Sequence, residues 1–176
     1  LHPINGSLTH NLHKKGWRGI NIDIDEHNIK LFKLLRPKDK SINCAISSND
    51  GNAGAAIASM EEQGMAGTVP VSGLDCTVQA QQLILLGKQT QCGWRPLEDM
   101  AAAAAAVTVR LVNGEDFSDL APQKVKNGVG AEVAYVPVGS YSAVGVDGVA
   151  YVIANDKSIT KDMICQGEAA ETTFCK

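Results

Sequence analysis

No apolar run in this sequence approaches the roughly 20 residues that a bilayer-spanning helix needs, so direct insertion into a membrane is not expected. No excess of positive charge is present either. A formal net charge of −3 gives no footing for a nucleic-acid surface. The cysteines never fall in a CxxC spacing, and His10 and His13, three apart on an expected helix, have no evident third ligand, so no metal site is expected. "DIDEHN" lacks the glycine and the terminal glutamate of a calcium loop. No G-x-S-x-G turn presents a nucleophile, and there is no internal repeat. The chain opens at Leu1 with neither Met nor a charged-then-apolar leader, which says little about location if a start or leader has been removed.

What is present is an alternation of strand and helix patterns over more than a hundred of the 176 residues. A length of this order buries one core and is too short for two full α/β domains. "SLTHNLHKK" reads as a helix closed by Gly16, "GINIDID" as a strand, "EHNIKLFKLL" as a helix stopped by Pro37, and "SINCAIS" as the next strand. The alternation continues through "GNAGAAIASMEEQ" (helix, with Asp50 as its N-cap), "TVPVSG" (strand), "TVQAQQLILLG" (helix) and "KQTQCGW" (strand). "LEDMAAAAAAVTVRLVNG" reads as a long helix with Pro96 at its start, its alanine run suited to close packing. After Gly114 the pattern loosens into expected strands "AEVAYVPV" and "GVAYVIA" and a short helix at residues 159–164. The expected fold is α/β, a parallel sheet with helices on both faces.

In such sheets ligands collect beyond the carboxyl ends of the strands. Asp23, Asn49, Asp75 and Arg95 occupy those positions. A carboxylate or amide oxygen accepts from paired hydroxyls and an amide or guanidinium donates to them, a combination that selects polyols. Each residue also has a structural reading: an Asx turn or helix cap for Asn49, Asp50 and Asp75, a surface charge for Arg95. Trp94 reads as a core residue or as a ring to stack on a sugar. Cys165 and Cys175 enclose a short polar loop that suits either a local disulfide or two thiols.

Residues 49–176 carry "NDGNAGAAI", "GMAGTVPVSGLD" and "QTQCGWRP" in order, and in this they resemble the carboxyl-terminal part of periplasmic sugar-binding proteins of ABC importers, the xylose-binding type above all. The resemblance implies one lobe of a type I periplasmic binding protein. It also implies a monosaccharide ligand held by Asn49, Asp75 and Arg95, a membrane permease as partner, no catalysis and no cofactor. Arg95 stands where that family often has lysine, which preserves a donor with different geometry. Export to the periplasm or the extracellular space follows from the same resemblance and favours a Cys165–Cys175 disulfide.

Residues 1–48 differ. "KKGWRGINID" resembles an internal piece of an FkbM-family methyltransferase, which implies S-adenosylmethionine as cofactor, a cytoplasmic location and Asp23 as the acceptor for the cofactor ribose. The glycine-bearing loop that would precede this piece is absent from the chain. The two resemblances meet at residues 47–49 without a Pro-rich or Gly/Ser-rich linker, which reads as a join of unlike segments. The expectation is a monosaccharide-binding, non-catalytic importer component in an incomplete or hybrid chain. The alternatives are a methyltransferase fragment and an inactive fusion.

Overall fold

The structure, a computed structural model, describes Lys15, Ile20–Asn21 and residues 43–176. The helices expected at residues 7–15 and 26–35, with His10, His13 and Asp23, lie outside the described residues, apart from Lys15. The described chain divides into two compact units, one of residues up to Trp94 together with Ser142–Lys176, the other of Arg95–Tyr141.

The first unit is built on a five-stranded sheet in the order β1-β2-β3-β4-β7, with β1 Ile20–Asn21, β2 Ala45–Ile46, β3 Val71–Leu74, β4 Gln91–Trp94 and β7 Tyr141–Val144. The pairs β1/β2, β2/β3 and β3/β4 are parallel, with Ile20 opposite Ala45, Ala45 opposite Val71 and Ser72 opposite Gln91. Strands from both sides of residues 47–49 therefore share one sheet.

Between β2 and β3 runs α1, Asp50–Glu61, and between β3 and β4 runs α2, Val78–Leu85. Helix α1 buries Ala53, Ile57 and Met60, spaced four and three apart, against Ala45, Val69 and Val71 of the sheet side. That spacing puts one narrow apolar stripe on the core. Helix α2 begins after Thr77, whose hydroxyl accepts from Ala80 N–H at 3.2 Å. It packs against α1, α4 (Gly145–Asn155) and α5 (Lys161–Ile164). A 3₁₀ turn at Gly167–Glu171 follows, and Cys165 and Cys175 are joined by a disulfide around it.

Two expectations for this unit need correction. "GVAYVIA" is helical, within α4: Gly148, Val149 and Val152 are buried together, and a short apolar run fits either a strand or one face of a helix. Asp50 is not the N-cap of α1. Asn49 is, with extended backbone and its Oδ1 accepting from Asn52 N–H at 2.8 Å, and Asp50 is the first helical residue. Of the two readings of Trp94, the core one holds: the residue is buried, its Nε1 donates to Asp156 Oδ2 at 2.9 Å, and its ring meets Tyr151 edge-on at 6.1 Å.

The second unit holds α3, Leu97–Asn113, and an antiparallel hairpin of β5 Gln123–Lys126 and β6 Glu132–Tyr135. Pro96 takes the N-cap position and Gly114, at φ +69°, ends α3 in the left-handed conformation that only glycine adopts freely. The alanine run was expected to pack closely, yet α3 buries none of its residues. Alanine has the highest intrinsic helix propensity, so the run favours a helix even where none of its residues is fully buried.

Candidate functional site

The carboxyl ends of β2 and β3 lie side by side, and the sequence places Asn49 just past one and Asp75 just past the other. Both residues are exposed. Asn49 Oδ1 is engaged in capping α1, and the rest of its amide consists of N–H donors.

Asp75 sits on an unusual backbone. Its φ is +99° and that of Cys76 is +52°, the two positive-φ residues other than glycine among those described. Side chains rarely tolerate that region, and two in succession persist only when the surroundings over-determine them. Four contacts do so. Asp75 N–H donates to Gly93 O at 2.8 Å, and Gln81 Nε2 donates to Cys76 O at 2.8 Å. Thr77 N–H donates to Asp50 Oδ2 at 2.8 Å, and a disulfide ties Cys76 to Cys92 on β4.

Asp50 is the buried charge of this rim, 4% exposed. Its Oδ1 accepts from Gln89 Nε2 at 3.2 Å, and Gln89 Nε2 also donates to Gln91 O. Gly73, on β3 beneath this network, admits no side chain. A Cβ there would collide with the Asp50 carboxylate and lie 2.7 Å from Gln89 Nε2. Burial pushes the Asp50 carboxyl above the usual carboxylate range, against the lowering effect of the bonds from Thr77 and Gln89; the nearby Asp75 charge adds to the rise.

Arg95 directly follows β4 and is the first residue of the second unit. Within that unit it lines a cavity of about 370 Å³ with Met100, Ala103, Ala104, Val136 and Ser140. Of the sequence candidates, Asn49 and Asp75 are thus brought to adjacent strand ends of one unit, while Arg95 is described within the other. Asp23 lies outside the described residues. No group of three metal-ligating side chains occurs among the described residues.

Sequence reasoning missed Asp50 as a bridging group and the Cys76–Cys92 pair. The partners of Asp50 lie 27 and 39 residues away, beyond any local motif. A signal did exist for the disulfide: Cys76 and Cys92 bracket α2 from the loop after β3 to β4, strands that a parallel α/β reading makes neighbours. Cys44, the fifth cysteine, is buried and outside both disulfides.

Residues 13–116 match the periplasmic binding protein domain family. The D-xylose-binding periplasmic protein of Escherichia coli (strain K12) is 32% identical over 94 residues, 53% of this chain and 28% of that protein. The D-xylose-binding periplasmic protein of Haemophilus influenzae is 31% identical over 102 residues, 58% of this chain and 30% of that protein. The chain therefore spans less than a third of the length of these relatives. Among solved structures, a periplasmic solute binding protein of an ABC transporter from Actinobacillus succinogenes 130z, with bound D-allose, aligns over 72% of this chain and 39% of that one, at 19% identity and a TM-score of 0.49.

Proposed function

The chain belongs to the periplasmic binding protein domain family, and on that premise we propose that it is part of the monosaccharide-binding component of an ABC sugar importer, with a xylose-like ligand. The observation that carries this reading is the placement of Asn49 and Asp75 at the carboxyl ends of adjacent parallel strands, one offering amide donors and the other a carboxylate acceptor. A sugar hydroxyl both donates and accepts, so the pair can engage neighbouring hydroxyls of one ring. Arg95 adds a cationic donor in this reading, and the partner that receives the loaded protein is a membrane permease.

The role is binding, without catalysis and without a cofactor. Two disulfides, Cys76–Cys92 and Cys165–Cys175, suit an oxidising compartment such as the periplasm. Sugar binding is assigned to residues 49–176; the family match begins at residue 13 and runs across the boundary expected at residues 48–49.

Equilibrium dialysis of the purified chain against labelled D-xylose, with labelled S-adenosylmethionine in a parallel cell, tests the reading. Saturable retention of the sugar is the expected result. Retention of S-adenosylmethionine with none of xylose would transfer the assignment to the methyltransferase alternative.

A further inference from the structure

The loop that presents Asp75 is held in a conformation its residues disfavour, and the structure shows what holds it. Positive φ at Asp75 and Cys76 is opposed by sterics in both residues, so without braces the loop would relax toward an ordinary turn and move the Asp75 carboxylate. Three of the braces come from β4 and α2: Gly93 O, Cys92 and Gln81. The fourth, Asp50, comes from α1. Asp50 directly follows Asn49, so a single peptide unit links the Asn49 cap to the carboxylate that grips the loop beyond β3.

We propose that Asp50 is a positioning residue of the sugar site, whose buried carboxylate registers the Asp75 loop against Asn49 by accepting from Thr77 N–H and Gln89 Nε2. This inference rests on the sugar-binding reading for its function and on geometry alone for its mechanism. Gly73 fits the same arrangement, because the volume its missing side chain would fill is taken by the Asp50 carboxylate and the Gln89 amide. Gln89 is 2% exposed and its Nε2 donates to Asp50 Oδ1, while its Oε1 has no hydrogen-bond partner among the described residues, so its amide is oriented as a carboxylate at Asp50 requires. Asp50 itself makes no contact with ligand in this account; it acts through Thr77.

The test compares the full chain with Asp50→Ala and Asp50→Asn by amide hydrogen exchange and by titration with D-xylose. In Asp50→Ala the amides of Asp75 and Thr77 exchange at least about tenfold faster, while those of Val149 and Val152 in α4 keep their rates. Affinity for D-xylose falls by about tenfold or more, although Asn49 and Asp75 are both intact. Asp50→Asn keeps the shape and one acceptor, so it recovers part of both effects and serves alone should the alanine variant fail to fold. Unchanged exchange at Asp75 and Thr77, or acceleration only in step with Val149 and Val152, overturns the positioning role. Absence of D-xylose binding by the parent chain overturns the sugar-binding reading, and the exchange rates then still decide whether Asp50 holds the loop.

Discussion

Asp75 combines an exposed carboxylate with a backbone angle of +99°, and a substitution there changes both unless it is chosen with care. Asparagine tolerates positive φ better than alanine does, so Asp75→Asn isolates the loss of charge and of one acceptor. Titratable groups differ in sign across the same unit. The Asp50 carboxyl is raised by burial, so its neutral form is favoured on folding. Its contribution is fully present below the ordinary carboxylate range, about pH 4, and is lost as pH rises through the raised folded value. For Asp156, burial pushes upward but is outweighed by the bonds from Ser158 and Trp94, which hold the group below its ordinary value. Its contribution is present above about pH 4 and lost as pH falls through the depressed folded value. Urea midpoints measured from acid to neutral pH are therefore expected to lose their acid-side decline in part in Asp156→Asn and to lose some of their fall toward neutrality in Asp50→Asn. Identical pH profiles for parent and variants would contradict both assignments.

At the scale of elements, α1 ties the core to the rim. Ile57, fully buried among Ala45, Ala53, Met60, Val69 and Val71, fixes the helix whose first turn carries Asn49 and Asp50. Ile57→Ala is expected to lower stability by about 2–5 kcal/mol in chemical denaturation, from lost transfer free energy and the cavity left behind. Gly73→Ala is expected to destabilise as well and to weaken D-xylose binding with it, because a methyl group on β3 must displace the Asp50–Gln89 pair. Binding at parental affinity in Gly73→Ala would show that the pair does not set the rim.

Elements with a clear period were legible in the sequence. The stretches that became β3, α2, β4 and α3 were assigned their types, because capping residues and turn glycines bound them. The error at residues 148–154 arose where apolar residues run together and the period is lost, so that burial of Gly148, Val149 and Val152 on one helix face left no trace in the order of residue types. The rim was legible only in part. Asn49 and Asp75 stand at strand ends and could be found from topology, whereas the function of Asp50 depends on Thr77 and Gln89, brought to it only by folding.

At the scale of the whole molecule, one sheet contains strands from both sides of residues 47–49, and two disulfides brace the unit that carries Asn49 and Asp75. Cys76–Cys92 acts at the rim and Cys165–Cys175 encloses the loop after α5. Removing the first as Cys76→Ser/Cys92→Ser is expected to weaken D-xylose binding more than removing the second as Cys165→Ser/Cys175→Ser. Thermal scans of the two variants separate that local effect from the general loss of stability, about 2–5 kcal/mol, that follows loss of a native disulfide.

We propose that this chain holds a monosaccharide through groups at the ends of β2 and β3. Isothermal titration of the purified chain with D-xylose, alongside Asp75→Asn, tests it most directly. Saturable heat is expected for the parent chain, with an affinity lower by about tenfold or more for the variant. A parent that binds with the same affinity as Asp75→Asn, or a folded parent that gives no heat at all, would contradict it.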